Sequence, residues 1–88
     1  MKKLPDLESE TAQSGAKLVP AVERATRILD HVARAKTYPS LSDLSRELGI
    51  AKSSVHTLCR TLLQLNLLIR RSDQTYQLGP HLMRWSNA

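Results

Sequence analysis

The sequence has 88 residues, of which 41% are hydrophobic, and a formal net charge of +5. This length suits one small domain, whose core must be aliphatic because phenylalanine is absent and other aromatic residues are scarce. The single cysteine excludes an internal disulfide and a cysteine-only zinc site. The opening residues MKKLPDLESE lack the apolar run of a signal peptide, and no segment approaches the roughly 18 apolar residues of a membrane span. We therefore expect a cytoplasmic protein.

The excess positive charge lies beyond the first residues of the chain. From Met1 to Val19, three lysines cancel three acids. From Leu48 to Ser72 there is no acid, and the cations are Lys52, Arg60, Arg70 and Arg71. A basic balance alone is compatible with solubility and nothing more. An acid-free cluster around an amphipathic helix favours a polyanionic partner.

The sequence predicts three segments. Residues 1–19 are polar and lack periodicity, which predicts a disordered tail. Residues 20–79 carry the patterns of one folded domain. Residues 80–88 open a further helix with apolar Leu82, Met83 and Trp85, and little of the chain follows to cover them. We expect this segment to start a linker toward a domain that is absent here.

The first predicted helix begins near Pro20, whose missing amide donor costs nothing in a first turn, and runs to about Ala35. Pro39 disfavours helix at the residue before it and separates this helix from the next. The predicted inward stripe has Ile28 at its edge and consists of Val22, Ala25, Leu29, Val32 and Ala33.

Two further helices are predicted to meet at a glycine turn. The residues LSDLSRELG, positions 41–49, form the first, with Ser42 as its cap and the final glycine in the left-handed conformation. The residues AKSSVHTLCRTLLQL, positions 51–65, form the second, which starts at either Ala51 or Ser53. This arrangement predicts a helix-turn-helix, whose second helix presents its outer face to the DNA major groove.

The third helix is amphipathic in a particular way. One arc of roughly 100° is polar and carries no acid; its members are Ser53, His56, Thr57, Arg60 and Gln64. The opposite side is apolar and consists of Val55, Leu58, Cys59, Leu62 and Leu65. Hydroxyl groups can donate to phosphate oxygens, and the guanidinium of Arg60 can bind either a guanine edge or a phosphate.

The residues after Asn66 change pattern. The runs LLIRR and TYQL, separated by SDQ, predict a two-stranded hairpin, with Arg70 and Arg71 on opposite faces of their strand. Three helices followed by a hairpin make a mainly α fold, the winged helix-turn-helix. Pro80 then opens a fourth helix.

The strings PAVERATRILDHVA, LSDLSRELGIAKSSVHTL and YQLG, in this order and spacing, resemble the DNA-binding domain of the isocitrate lyase regulator (IclR) family of bacterial transcription factors. The resemblance covers Pro20 to about Trp85. It implies a larger effector-binding domain, absent here, that stabilises much of the protein's assembly. It also implies a homodimer that binds paired DNA half-sites. The family commonly has proline where Ala51 stands and arginine where Thr57 stands, so a frequent base-reading side chain is missing.

The sequence leaves two classes of function open. The favoured one is sequence-specific binding of double-stranded DNA by a transcriptional regulator of this type. The alternative is a winged helix that docks on another protein and whose basic face does not read DNA. No catalytic residue, metal or cofactor is expected, although His56 and Cys59 have a spacing that can serve a metal. The predicted DNA-binding residues are Ser42, Lys52, Ser53, Ser54, His56, Thr57, Arg60, Arg70 and Arg71.

Overall fold

The computed structural model describes residues 17–87, so the predicted disordered tail, residues 1–19, lies outside the described residues except for its last three. These described residues form four helices and two strands: α1 (Pro20–Arg34), α2 (Leu41–Leu48), α3 (Lys52–Gln64), β1 (Leu68–Arg70), β2 (Tyr76–Leu78) and α4 (Pro80–Ser86). The strands pair antiparallel, with Ile69 opposite Gln77. This order confirms the predicted winged helix-turn-helix. Of the described helices, none is both long enough and apolar enough to cross a membrane.

The core lies where α1, α2, α3 and the hairpin meet. Four of its side chains have 0% exposure: Ile28, Leu44, Val55 and Cys59. The other core residues are Val32, Ile50, Leu62, Leu67, Leu68 and Tyr76. Each helix contributes the residues that its 3.6-residue period places on one side, as amphipathic helices do. The predicted apolar side of α3 is confirmed for Val55, Cys59 and Leu62, whereas Leu65, just after the helix, is 52% exposed.

The predicted inward stripe of α1 was confirmed for Ala25, Leu29 and Val32, which are buried or pack against the core, and wrong for its other two members. Ile28, placed at the edge, is fully buried, whereas Val22 is 64% exposed and Ala33 is also exposed. The helix is rotated so that Ile28 and Val32 face the core. Periodicity gives the angular spread of apolar residues, but the neighbouring elements decide which part of a broad apolar arc they cover.

The cap of α2 is Ser40 and not the predicted Ser42. The hydroxyl of Ser40 accepts a hydrogen bond from the amide of Asp43 at 3.1 Å. In return, the carboxylate of Asp43 accepts one from the amide of Ser40 at 3.0 Å. This capping box satisfies two amides that a helix start leaves without partners. The hydrogen bond from the Ser40 amide, followed by one that the Arg46 side chain donates to the same carboxylate at 2.8 Å, lowers the pKa of Asp43. Ser42 lies inside the helix and is exposed.

The glycine turn between α2 and α3 is confirmed. Gly49 has φ 66° and ψ 32°, the left-handed conformation that glycine adopts without a steric penalty. The amides of Gly49 and Ile50 both donate to the carbonyl of Ser45, at 3.0 and 3.2 Å. The hydroxyl of Ser45 donates in turn to the carbonyl of Ile50 at 2.6 Å. These bonds fix the direction in which the chain enters α3.

The end of α3 is joined tightly to α4. Asn66 takes a positive φ of 60°, and the amide of Leu67 donates to the carbonyl of Leu62, which closes α3 in a Schellman motif. The amide of Gly79 donates to Leu67, and the amide of His81 donates to Asn66. A Cβ at Gly79 would lie 2.2 Å from the Asn66 carbonyl oxygen, so only glycine permits this approach.

The predicted fourth helix is present, and its apolar residues differ in burial. Leu82 is half-buried and packs against the core. Met83 and Trp85 are 65% and 57% exposed. The expectation that these side chains lack cover within the domain thus fits Met83 and Trp85 but not Leu82.

Replacing the cap of α2 should test the corrected helix start. We expect Ser40→Ala to lower the free energy of unfolding by about 1 kcal/mol, because one first-turn amide loses its acceptor. Ser42→Ala is the matched control and should change it by less than about 0.5 kcal/mol. Urea denaturation of both variants at pH 7 provides the measurement. Equal losses would show that Ser40 is not the cap. The pKa of Asp43 is lowered in the folded protein, so its ionised carboxylate stabilises the fold. This stabilisation is fully present above the ordinary pKa of an aspartate and is lost as the pH falls through the lowered pKa.

The burial of Cys59 predicts that its thiol reacts slowly with alkylating reagents. Burial raises the pKa of this thiol to about 11, and the thiolate is the reactive form. We therefore expect iodoacetamide at pH 8 to modify Cys59 slowly in the folded protein and rapidly in guanidinium chloride. Mass spectrometry over a time course reads both rates. Rapid modification of the folded protein would mean that the core opens easily around α3.

Candidate nucleic-acid interface

The carboxylates of the described chain all lie outside α3. Each acidic residue between 17 and 87 lies within 4.0 Å of a basic group, and the pairs are Glu23–Arg27, Asp30–Arg34, Asp43–Arg46, Glu47–His31 and Asp73–Arg71. None of these groups belongs to α3. Within the same residues, Lys52 and Arg60 of α3 have no carboxylate at ion-pair distance. Among residues 17–87, both cations of α3 are therefore uncompensated, as are cations outside it such as Arg24 and Arg70, but α3 carries no acid.

The outside of α3 is continuous and polar. Its members, which we call the exposed face of α3, are Lys52, Ser53, His56, Thr57 and Arg60, and all of them are exposed. Val55, Cys59 and Leu62 are buried on the other side of the helix. Lys52 and Arg60 are eight residues apart, which is about 12 Å along a helix axis. The face therefore presents one cation at the start of the helix and one near its end.

The threonine hydroxyl groups on the outside of α3 donate hydrogen bonds to carbonyls of the same helix. Thr57 donates its hydroxyl proton to the carbonyl of Ser53 at 3.1 Å, and Thr61 donates to the carbonyl of Thr57 at 3.3 Å. The oxygen of Thr57 can still accept a hydrogen bond, and its methyl group is available for apolar contact. Thr57 can therefore meet an amino group or a thymine methyl, which differs from the long cation found there in the family.

The start of α3 offers backbone donors. The helix begins at Lys52, so the open choice between Ala51 and Ser53 is decided for Ala51, and no side chain in the described part of the chain caps it. The first-turn amides of a helix have no partners within the helix, and the helix dipole places partial positive charge there. A polyanion approaching Lys52 would meet both the ammonium group and these amides.

A cleft lies between the start of α2, the start of α3 and the hairpin. We call it the wing cleft; it has a volume of about 330 Å³, and its polar lining includes Ser42, Lys52, His56, Arg70 and Gln74. Tyr76 lies at its buried side, and burial raises the pKa of this phenol, so it stays neutral. Three basic side chains from two elements thus converge on one concave surface. The structure brings together four of the predicted residues here.

The two hairpin arginines face opposite ways, as the sequence predicts. Arg70 belongs to β1 and lines the wing cleft, where it donates to the amide oxygen of Gln74 at 2.6 Å. Arg71 lies half-buried on the other face, 4.0 Å from the ring centre of Tyr38, and donates to Gln77 at 2.9 Å. The guanidinium of Arg71 is held by the protein, whereas that of Arg70 faces the same space as the start of α3.

A second groove lies on the other side of α3. It is lined by the start of α1, including Arg24, together with Ser53, Ser54 and Thr57. Ser54 is half-buried there, which explains its position outside the polar arc. Arg24 has no carboxylate within 4.0 Å among residues 17–87. Arg24 was not among the predicted DNA-binding residues, because nothing in the periodicity of α1 shows that the start of this helix lies beside α3.

Arg60 lies apart from the wing cleft. It lines a shallow surface with Thr57, Thr61, Leu63 and Gln64, toward the end of α3. The possible metal pair does not form a site: Cys59 has 0% exposure within the core, whereas His56 is exposed. Across residues 17–87 there is no group of three or more histidine, cysteine or acidic residues placed to hold a metal ion.

Comparison with known proteins identifies relatives of this domain. The chain is 30% identical over 82 residues to a probable HTH-type transcriptional regulator ArcR of Halobacterium salinarum, covering 92% of this chain and 31% of that protein. It is 35% identical over 68 residues to the HTH-type transcriptional regulator XynR of Escherichia coli, covering 75% and 27%. The chain spans less than a third of the length of these relatives.

The comparison extends to solved structures. The crystal structure of the Agobacterium tumefaciens repressor BlcR is similar with a TM-score of 0.73 and 38% identity, covering 93% of this chain and 30% of that one. The sequence model of the family described as "IclR helix-turn-helix domain" matches residues 21–72, which is more than half of the chain. This match includes α1, α2, α3 and β1. The chain therefore belongs to the IclR family of helix-turn-helix transcriptional regulators.

Proposed function

We propose that this domain binds double-stranded DNA sequence-specifically, with the exposed face of α3 in the major groove. The observation that carries this proposal is the charge arrangement: each described carboxylate is paired with a basic group outside α3, while Lys52 and Arg60 carry no such partner. A surface used only for solubility has no need of this separation. A surface that meets phosphates does, because a nearby carboxylate would repel them.

The wing cleft is proposed to hold the phosphates of one strand. Lys52, His56 and Arg70 converge there, and Ser42 lies at its rim with an exposed hydroxyl. The uncapped amides at the start of α3 add backbone donors to the same region. Phosphate contacts of this kind fix the register of a protein on the duplex without reading its sequence. On the other flank, Arg24 and Ser54 are placed for a phosphate of the opposite strand.

Base reading is assigned to the middle and end of the exposed face of α3. Arg60 has the planar donor fork that pairs with O6 and N7 of guanine, and Thr57 offers an acceptor oxygen and a methyl group. Ser53 lines the second groove, on the side of α3 away from the wing cleft, and can contact either a base or a phosphate. Arg71 is left out of the proposed interface, because Tyr38 and Gln77 hold its guanidinium on the far side of the hairpin.

We further propose that the regulator acts as a cytoplasmic homodimer on paired half-sites and has no enzymatic activity of its own. One recognition helix buries too little surface for a tight specific complex, so pairing of half-sites is the usual solution. The relatives are more than three times as long as the matched segment. Residues 80–88 are proposed to start the linker toward an effector-binding domain of the kind that the family carries. The exposed Met83 and Trp85 fit this role.

Salt dependence tests DNA binding against the alternative of a protein-docking module. Each neutralised phosphate contributes about −0.9 to the slope of log affinity against log salt, so engagement of Lys52, Arg60 and Arg70 predicts about −3 per domain. Fluorescence anisotropy with duplex DNA at several salt concentrations measures this slope. Lys52→Ala should reduce its magnitude by about 1. A flat response in the unmodified chain would contradict DNA binding and favour protein docking.

Substitution of Arg60 separates base reading from phosphate contact. If Arg60 pairs with guanine, Arg60→Ala should cost roughly 1–3 kcal/mol on the preferred site and relax selectivity at one base pair. Selection from a random DNA pool, followed by titration of the selected and altered duplexes, measures both effects. Arg34→Ala is the matched control, since Arg34 lies on α1 and pairs with Asp30. Uniform weakening on all duplexes would assign Arg60 to a phosphate, and no change would remove it from the interface.

A further inference from the structure

Gln74 stands at a position that suits glycine better. Its φ is 69°, in the left-handed region that residues with a side chain rarely adopt. The loop is a tight one: the amide of Gln74 donates to the carbonyl of Arg71 at 2.9 Å, and the amide of Arg71 donates to Thr75 at 2.7 Å. Hairpins of this length commonly place glycine at the left-handed position. The turn therefore explains the backbone conformation but not the presence of a glutamine.

The side chain of Gln74 has a specific contact. Its amide oxygen accepts from Nη2 of Arg70 at 2.6 Å, and both residues line the wing cleft with Lys52 and His56. A long exposed arginine samples many rotamers when nothing holds it, and ordering it on binding costs free energy. The bond to a neutral partner restricts Arg70 without cancelling its charge, which a carboxylate at the same place would do.

The hairpin repeats this arrangement on its other face. There, the amide oxygen of Gln77 accepts from Nη1 of Arg71 at 2.9 Å. Each arginine thus has its own glutamine, and the two pairs direct their guanidinium groups to opposite sides. Only the Arg70–Gln74 pair faces the start of α3.

We propose that Gln74 is a positioning residue for DNA binding, which holds the guanidinium of Arg70 over the wing cleft ready for a backbone phosphate. This inference rests on the proposed function, in which Arg70 contacts a backbone phosphate. Gln74 itself need not touch DNA; it acts by reducing the freedom that Arg70 loses when the phosphate binds.

Gln74→Gly tests the proposal, since it removes the side chain and suits the positive φ. We expect the thermal midpoint to be unchanged or raised, while the affinity for fluorescein-labelled random-sequence duplex falls about three- to tenfold at low salt. Gln77→Ala is the matched control, which removes the equivalent acceptor on the other face and should leave the affinity unchanged. In the Arg70→Ala background, Gln74→Gly should have no further effect, because there is no longer a side chain to position.

A second measurement on the full chain without DNA reads the position of Arg70 directly. The heteronuclear ¹⁵N NOE at Nε of Arg70 should fall in Gln74→Gly, since the guanidinium becomes more mobile on the ps–ns timescale. Unchanged affinity in Gln74→Gly, an equal loss in the Arg70→Ala background, or an unchanged NOE would each overturn the positioning role. Failure of the unmodified chain to bind duplex would instead overturn the proposed function, and the DNA role of Gln74 with it, before any variant is compared.

Discussion

The burial of one side of α3 is the constraint on which the rest of this domain depends. Val55 and Cys59 have 0% exposure, and the same is true of Ile28 and Leu44 on the two helices that α3 packs against. Removing apolar side chains from water is the main stabilising term in so small a domain. Because a helix has two sides, fixing the apolar side inward fixes the polar side outward. The orientation of the exposed face of α3 is therefore a consequence of the core.

Polar contacts between α1 and α2 refine this arrangement. Nη2 of Arg27 donates to the carbonyl of Leu48 at 2.8 Å, just before the glycine turn, and His31 meets Glu47 at 2.6 Å. These contacts also occupy charges that would otherwise lie free on the surface. The ion pairs are exposed and each contributes little to stability. Their larger effect is on the electrostatic field: Glu23, Asp30 and Asp43 each lie beside an arginine, whereas α3 carries two cations and no acid.

The hairpin extends the same surface by a different means. Arg70 comes from a strand that starts after α3 has ended, and the hairpin folds it back toward the start of that helix. Two backbone positions with positive φ, Asn66 and Gln74, allow this path. The junction of Asn66 with Gly79 also ties α4 to the end of α3 through backbone contacts that admit no side chain. A movement of α4 would therefore act directly on the helix that presents the exposed face.

The sequence by itself determined the elements, their order and the chemistry of the exposed face of α3. Periodicity defined the three longer helices, and strand-forming runs defined the hairpin. The absence of acids from Leu48 to Ser72 already pointed to a polyanion. These features are local, so neighbouring residues in the chain carry the information needed to predict them.

The tertiary structure decided what depends on residues distant in sequence. It placed Ile28 rather than Val22 in the core, because the docking of α2 and α3 selects one part of a broad apolar arc. It showed that the cap is Ser40 and not Ser42, although the three-residue spacing of Ser40 and Asp43 is a capping-box signal that the sequence already carried. It also decided that Arg70 and not Arg71 faces α3, and it brought Arg24 and Gln74 beside that helix. Sequence alternation shows that two side chains point apart, but only the packed fold shows which of them faces the helix.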